Sequence, residues 1–435
     1  MSKIRSQQQT SAEKDDDLIS RLPDDIVVEV INRLGNITEA ARTSVLSSRW
    51  RDLWTFSNNL NLDPPKNICK SLEEIRESRP NYINWVHKVL ELHRASTINI
   101  FRIHYDLYHP HTDVLTNWIH KAISKRGGVQ HFELRLNLQG ADKYPKYIFP
   151  QECYDILKSP HHDHGLSFIS SLKSLSLTDV NITGEILHFF VYKCPLLERL
   201  RVAHSCAPEF ALRIVGPSIR LKYIEFDCCF SIREVEISVP SLLSFKFYGS
   251  DIISLKVGNV PQLVDVSIGG NCNARLKNYI EPIINYLPQL HTLEFRLLLY
   301  SHPTDDSEFP FCELPNLRHL IFWVGGNDDH SLLGLTRMIQ ACPSPGEVYT
   351  EDEMGKRLAL VMLVLSMVVM GWANASEYAA SRPQDTYASS PQDAYGAGTG
   401  ASANQQGAKT ASPHHDPYTE LRPSAGDMWK TLVKN

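Results

Sequence analysis

The sequence predicts an α/β protein in which a small unit of three short helices is followed by an irregular solenoid of strand-bearing coils and then by a disordered tail. Apolar residues recur at helical spacing over residues 18–56, a strand-like apolar phrase returns from residue 98 to residue 322, and the composition changes in kind at Met354. The expected segments are a disordered N-terminus (1–17), the helical unit (18–58), the solenoid (80–345), an apolar segment (354–375) and a low-complexity tail (376–435).

Bulk composition excludes several classes of partner. The 435 residues contain 43% hydrophobic and 21% charged side chains, as is usual for a globular protein. A net charge of −5 gives no basic footprint for nucleic acid and no polybasic patch for a membrane. The nine cysteines are scattered and form no C-x-x-C pair, so we expect reduced thiols and a cytoplasmic or nuclear location.

The first helix is expected to begin at Pro23, because a proline at the first helical position lacks only an N–H that has no intrahelical partner. Residues 26–34 then carry apolar side chains at helical period, and Gly35 is placed to end the helix in a left-handed conformation. Thr38 is the expected cap of a second helix that runs through Leu46.

A third helix is expected to follow a cap at Ser47 or Ser48, and it would place three large apolar residues on one face: Trp50, Leu53 and Trp54. A unit of about 40 residues is near the lower limit for a self-sufficient core. Part of its apolar surface is therefore expected to be covered by the rest of the chain or by another protein.

These segments resemble the plant F-box over the whole motif and its spacing: LPDDI at 22–26, VINRL at 30–34 and TSVLSSRWRDLW at 43–54. Gly35-Asn36 stands where family members often have a proline-containing turn, and Ser48 stands where lysine is common. The resemblance implies docking on a Skp-type adaptor, and through it on a cullin. The residues that would supply or support this docking surface are Leu22, Pro23, Ile26, Val30, Val45, Leu46 and Trp50. Trp50 and Trp54 can equally belong to the internal core.

One apolar phrase recurs along the solenoid region. It has three apolar residues, of which the second comes three positions after the first and the third comes two positions after the second. This is the L-x-x-L-x-L strand signature of a leucine-rich repeat. From Leu172 onward the steps between phrases are 21 to 27 residues, which is within the usual range for this repeat. The phrases are Ile98-Phe101-Ile103, Val129-Phe132-Leu134, Leu172-Leu175-Leu177, Leu197-Leu200-Val202, Leu221-Ile224-Phe226, Leu242-Phe245-Phe247, Leu263-Val266-Ile268, Leu290-Leu293-Phe295 and Leu317-Leu320-Phe322.

The coils are not uniform. In the coils of 21 residues the phrase also occurs halfway, as Ile232-Val235-Ile237 and Ile252-Leu255-Val257, so a second short strand is expected there in place of a helix. The step from Val129 to Leu172 is 43 residues and predicts a repeat with a long loop.

Helices are expected where apolar residues recur at helical spacing between strands. Pro282 is expected to bend or restart the last of them. The four segments are 82–90, 115–122, 186–191 and 276–287.

This layout resembles the plant F-box/leucine-rich-repeat family, over residues 18 to about 345. Phrases such as CPLLERL at 194–200 are typical of it. Many members carry a C-terminal domain called FBD, which is not recognisable in this sequence.

Side chains between the strand leucines point away from the solenoid core and can face a ligand. Arginine and aromatic residues are the better candidates for contacts with a protein partner. The candidate target-binding residues are Arg199, Arg201, Tyr223 and Glu225, although a solvated strand face is the favoured interpretation for any single one of them.

The segment from Met354 has the anatomy of a secretory signal peptide. A short basic lead is followed by an apolar run at 358–371 and by Ala373-Asn374-Ala375, which offers small residues at cleavage spacing. We expect residues 354–435 to be a separate small secreted protein that is joined to the receptor sequence. The alternatives are a marginal membrane anchor at 358–372 or a buried helix.

No catalytic constellation is recognisable, so we expect no enzyme and no cofactor. The sequence lacks a Walker loop, a G-x-S-x-G elbow and an H-E-x-x-H helix. His161, His162, Asp163 and His164 form a possible metal cluster, but no second ligand cluster lies nearby in sequence, so a metal site is not expected.

The resemblance implies a substrate-recognition subunit of a Skp–cullin–F-box ubiquitin ligase, with the solenoid binding an unknown target protein. The alternatives are an interaction scaffold without a role in degradation and a membrane-tethered form.

Overall fold

The structure, a computed structural model, describes residues 19–64, 72–107, 111–136, 146–159, 163–206, 208–229, 231–249, 254–271, 280–299, 314–326 and 348–350. The predicted N-terminal tail, the signal-peptide-like segment and the low-complexity tail lie outside these residues, as do His161 and His162. Within them the predicted α/β fold class is confirmed, with short helices first and parallel strands after.

The helices are α1 (Asp24–Asn32), α2 (Ile37–Arg42), α3 (Leu72–Leu92), α4 (Thr112–Ile123), α5 (Gln151–Lys158), α6 (Asp163–Ser171) and α7 (Gly184–Lys193). The strands are β1 (Asn59–Asn61), β2 (Ile98–His104), β3 (Val129–Arg135), β4 (Tyr147–Ile148), β5 (Ser174–Thr178), β6 (Val180–Asn181), β7 (Arg199–Ala203), β8 (Phe210–Val215), β9 (Tyr223–Asp227), β10 (Ile232–Ser238), β11 (Ser244–Gly249), β12 (Ser254–Gly258), β13 (Asp265–Asn271), β14 (Thr292–Leu299), β15 (His319–Gly326) and β16 (Val348–Thr350).

The first helix forms where it was predicted, except that it begins at Asp24 and Pro23 is its N-cap residue. Pro23 precedes α1 in an extended conformation, and Asp24 and Asp25 occupy the first turn, where their negative charge suits the helix dipole. Gly35 follows the helix with φ 84°, a left-handed conformation that costs glycine little.

The second and third helices differ from the prediction. Asn36 caps α2, and not Thr38: its side-chain oxygen accepts a hydrogen bond from the backbone N–H of Glu39 at 2.8 Å. The α-helix ends at Arg42 and tightens into a 3₁₀ turn, Thr43–Val45. No third α-helix forms in residues 43–58, which include a second 3₁₀ helix at Leu53–Phe56. Because hydroxyl and amide side chains compete for backbone groups, caps in so short a unit shift easily.

Among the described residues, the main sheet contains eleven strands in the order β1-β2-β3-β5-β7-β9-β11-β13-β14-β15-β16, and neighbouring strands are parallel. Each of the nine apolar phrases supplies one of these strands. Their apolar residues align across the sheet in rows, so that Phe101 pairs with Phe132, Phe132 with Leu175, and Leu175 with Leu200. Stacked rows of this kind bury each coil against its neighbours, as a solenoid requires.

Two strands at the ends of the main sheet were not predicted. At one end β1 pairs with β2, and Leu60 lies opposite Phe101. At the other end β16 pairs with β15, with Val348 opposite Phe322, so the sheet extends beyond residue 345. Three-residue strands are too short to show a period of two in the sequence.

A second sheet, in which the described part of the chain supplies three strands in the order β12-β10-β8, is formed by the middle coils. The two halfway strands predicted there, β10 and β12, are confirmed. The sequence did not reveal β8, where Leu212 and Ile214 are the buried residues of a six-residue strand.

Helices α3, α4 and α7 lie where they were predicted. Of the helix expected at 276–287, residues 276–279 lie outside the described residues. The described remainder belongs to a 3₁₀ helix, Glu281–Gln289, because prolines stand at its start and near its end. The prediction of a long loop between Val129 and Leu172 is also wrong, since this segment contains β4, α5 and α6. Phe168 of α6 packs edge-to-face on Phe132, with ring centroids 5.7 Å apart.

The helical unit is joined to the main sheet through Asn32, the last residue of α1. Its side-chain oxygen accepts hydrogen bonds from Ser57 Oγ at 2.8 Å and from Asn58 N at 2.9 Å. Its backbone carbonyl accepts a third from Asn59 Nδ2 at 2.7 Å. Because Asn59 opens β1, the end of α1 and the first strand of the sheet are held together directly.

Candidate docking surfaces

Five large apolar side chains of the helical unit are exposed, in two groups. Ile26, Val30 and Leu34 follow one another at intervals of four residues and are 40–45% exposed. Val45 and Leu46, in the turn after α2, are 85% and 65% exposed. We refer to these five residues as the apolar patch. Side chains of this type seldom lie together in water unless a partner covers them.

Of the seven residues that the sequence singled out for docking, four belong to the apolar patch: Ile26, Val30, Val45 and Leu46. Pro23 is exposed and Leu22 is half-buried. Trp50 is only 6% exposed, so it belongs to the core beneath the patch and not to its surface. Leu34 was not included among them, although its spacing from Ile26 and Val30 carried the signal.

Arg49 fixes the chain segment that precedes α1. Its guanidinium donates to Asp24 Oδ1 at 2.8 Å from Nε and at 2.6 Å from Nη2, and also to the backbone carbonyl of Leu22. The pairing brings the turn after Leu46 against the start of α1. The two parts of the apolar patch are therefore held by a charge-assisted contact, which is stronger than a neutral hydrogen bond.

The second surface is the polar face of the main sheet, formed by the strand side chains that alternate with the buried ones. The four candidate target-binding residues lie there as two pairs on the adjacent strands β7 and β9. The Arg199 guanidinium lies 4.0 Å from the centroid of the Tyr223 ring, and Arg201 Nε donates to Glu225 Oε1 at 2.9 Å. The structure thus brings all four residues together, each arginine opposite its partner in the strand register.

Other members of the polar face were missed by sequence reasoning, because their partners lie on strands distant in the sequence. Arg102 on β2 pairs with Glu133 on β3 at 2.7 Å. Thr178 on β5 accepts a second hydrogen bond from Arg201, at 2.7 Å. Strand register alone, which follows from aligning the repeats, would have placed these residues side by side.

A third ion pair lies further along the polar face. Arg296 Nε donates to Glu294 Oε1 at 2.9 Å, and the Arg296 guanidinium lies 5.9 Å from the centroid of the Tyr248 ring. Burial opposes ionisation of Glu294, but the charge and hydrogen bond of Arg296, with a hydrogen bond from Ser267, hold the pKa of that carboxyl below its usual range. The pair is therefore charged on both sides at neutral pH.

Family comparisons agree with this architecture. The At1g61320/AtMIF1 leucine-rich-repeat (LRR) domain model matches residues 89–347, more than half of the chain, and the F-box domain model matches residues 19–62. The chain belongs to the plant F-box/LRR family. The F-box match includes the whole apolar patch and also β1, the first strand of the main sheet.

Several F-box/LRR relatives from Arabidopsis thaliana are similar to this chain. F-box/LRR-repeat protein At2g42730 is 26% identical over 72% of this chain and 71% of its own length. F-box/LRR-repeat protein 13 is 27% identical over 70% of each chain. F-box/FBD/LRR-repeat protein At1g13570 is 28% identical over 48% of this chain, which spans about half of that relative, 49% of its length.

Three buried cysteines of this F-box/LRR protein have thiols that ionise poorly. Burial raises the pKa of the thiols of Cys153, Cys194 and Cys229 to about 12, so they are poor nucleophiles at neutral pH. Among the described residues no group of histidine, cysteine and acidic side chains could hold a metal ion. None of the helices formed by the described residues is long and apolar enough to cross a membrane.

Proposed function

We propose that this protein is a substrate-recognition subunit of a Skp–cullin–F-box ubiquitin ligase. The apolar patch is the observation that carries the proposal. Val45 is 85% exposed and Leu46 65% exposed, and three half-exposed apolar residues form a stripe on α1 and its end. A protein partner that covers this patch would remove it from water, at a gain of roughly 25 cal/mol for each Å² of apolar surface.

The F-box family match supports a Skp-type adaptor as that partner, and through it a cullin. In this proposal Ile26, Val30, Val45 and Leu46 contact the adaptor, with Leu22 and Pro23 at the edge of the contact. Trp50 supports them from the core. The polar face of the main sheet holds a target protein, so acceptor lysines lie near the ubiquitin-charged enzyme at a raised effective concentration. The protein then performs no bond chemistry itself, and it acts in the cytoplasm or nucleus.

A binding measurement with the full chain tests the adaptor contact. The wild type is compared with Val45→Glu/Leu46→Glu, which introduces two charges into the patch, and with the milder Leu22→Ala/Pro23→Ala. Ile148→Glu is the matched control, because Ile148 is also exposed, at 64%, but lies in the repeat region.

We expect the adaptor to bind the wild type and the control equally and to lose the glutamate variant by more than about 100-fold, since two buried charges oppose docking. The alanine variant should bind with intermediate strength. A folded wild type that does not bind the adaptor would overturn the ligase proposal and leave an interaction scaffold as the function of the repeats.

A further inference from the structure

The polar face of the main sheet contains a groove centred on β5. The outward side chains of β5 are small and carry hydroxyl groups: Ser174, Ser176 and Thr178. The register places longer side chains directly beside them, from β3 on one side and from β7 on the other. We refer to the residues of this groove as the basic groove: Ser174 and Ser176 as its floor, with His131, Glu133, Arg135, Arg199 and Arg201 as its walls. At one end Thr178 is buried, and its hydroxyl lies beneath the Arg201 guanidinium, from which it accepts a hydrogen bond.

Part of the charge in the basic groove is already compensated. Arg201 pairs with Glu225 at 2.9 Å, and Glu133 pairs with Arg102 at 2.7 Å. Arg135 and Arg199 remain. Both are exposed, and in the part of the chain that the structure describes neither has a carboxylate within ion-pair distance. The stack on Tyr223 holds the Arg199 guanidinium in place without a counter-charge.

Several positively charged side chains surround His131, on the wall of the basic groove. Burial lowers the pKa of His131, and the charges of Lys173, Arg199 and Arg102 lower it further. The wall residues therefore lie in a positive potential, although the whole chain carries a net charge of −5.

The dimensions of the groove suit an extended polypeptide. Adjacent strands lie about 4.8 Å apart, so the walls on β3 and β7 are about 10 Å apart, enough for one chain laid over the small side chains of β5. Arg199 stands in the row of Ser174 and Arg135 in the row of Thr178, four residues further along the strands. That offset is about 13 Å along an extended chain. Side chains three or five residues apart point to opposite sides of an extended chain, so carboxylates at such a spacing would meet the two arginines on their opposite walls.

We propose that the basic groove binds an extended acidic segment of the target protein, with carboxylates paired to Arg135 and Arg199. The target's identity as a ubiquitination substrate rests on the proposed function. The acidity of the bound segment does not, because it follows from the groove alone.

Selection from a library of random 12-residue peptides displayed on phage tests this proposal. The full chain is the bait, and the pool that it selects is compared with the pools of two variants. Arg135→Gln/Arg199→Gln removes the two arginines of the groove that lack a counter-charge. Arg213→Gln/Arg233→Gln is the matched control, since it removes two arginines that pair with Glu236 and Glu209 at the second sheet.

The wild type and the control should select peptides enriched in aspartate and glutamate, with acidic positions three or five apart over-represented. Labelled peptides from that pool should bind the groove variant about tenfold more weakly by fluorescence anisotropy. No enrichment, an enrichment in neutral or basic peptides, or acidic peptides that bind the groove variant unchanged would each overturn the proposal.

Adaptor binding is measured on the same three proteins. Because the groove lies outside the apolar patch, the groove variant should bind the adaptor as the wild type does, which also shows that it is folded. If acidic peptides are selected but the adaptor does not bind, the groove proposal stands and the ligase proposal is wrong. If the adaptor binds but acidic peptides are not selected, the ligase proposal stands and the groove proposal is wrong.

Discussion

The guanidinium of Arg49 and the carboxylate of Asp24, 25 residues apart in the chain, are joined by hydrogen bonds of 2.8 and 2.6 Å. Arg49→Gln should lower adaptor affinity about three- to tenfold, because the segment before α1 loses its anchor while the patch residues stay. Arg42→Gln is the control: Arg42 makes a similar pair with Glu39, but on the exposed surface of α2. Titration of adaptor binding by calorimetry measures both. Equal affinities for the two variants would show that Arg49 does not position the patch.

Asn32 should contribute strongly to stability through the three hydrogen bonds that join α1 to the first strand. Asn32→Ala is expected to lower the free energy of unfolding by about 1–3 kcal/mol, because Asn58 N loses its acceptor. Asn32→Asp keeps an oxygen acceptor of the same shape and should cost less. Urea unfolding of the two variants makes the comparison. A loss for the aspartate variant as large as that for alanine would contradict this account.

His93 is buried near the same junction, with Nε2 2.9 Å from the carbonyl oxygen of Ser57. Burial lowers its pKa to about 4, the charge of Lys125 adds to the decrease, and the hydrogen bond to Ser57 opposes it. The folded pKa lies below the unfolded value, so the neutral ring stabilises the fold above pH 6.5. That stability is lost as the pH falls towards 4, and it amounts to about 3 kcal/mol.

His93→Gln removes the titrating ring and keeps a hydrogen-bond donor. Urea unfolding from pH 7 to pH 4 should show that the wild type loses about 3 kcal/mol more than this variant over the interval. Parallel losses in the two proteins would mean that His93 is not the group responsible.

Gly269 is expected to tolerate no side chain. A Cβ atom there would overlap the carbonyl oxygen of Arg296 on the neighbouring strand, and backbone atoms in a sheet cannot move aside cheaply. Gly269→Ala should therefore cost about 1–3 kcal/mol in thermal or urea unfolding. Gly258→Ala is the control, because its nearest neighbours would be 3.8 Å away, at Ser238. Similar stability of the two variants would contradict the close approach of β13 and β14.

The sequence predicted the main sheet well because each of its long strands repeats one local phrase. Phe101, Phe132 and Leu175 lie in a row, and each stands at the same place in its own phrase. The end strands could not be predicted in this way. Strands β1 and β16 have only three residues each, too few to show an apolar pattern. They are strands because they pair with the neighbouring strands β2 and β15.

The candidate sites were predicted less completely, for a related reason. The resemblance to the F-box selected Val45 and Leu46 for docking, but their exposure depends on where α2 ends and the 3₁₀ turn begins. Trp50 has the same apolar character and is buried. Composition alone cannot separate two such residues, since interfaces and cores use the same side chains.

Strand β1 belongs to the F-box match and is also the first strand of the main sheet. The distance from β1 to any other strand of the sheet is therefore set by the number of strands between them. The floor of the basic groove, β5, is the third neighbour of β1 in the sheet order, about 15 Å away. A flexible linker would let the distance between the F-box and a bound segment vary, whereas the hydrogen-bonded strands keep that distance fixed. Which lysines of a target are reached would then depend on how far along its own chain they lie from the acidic segment.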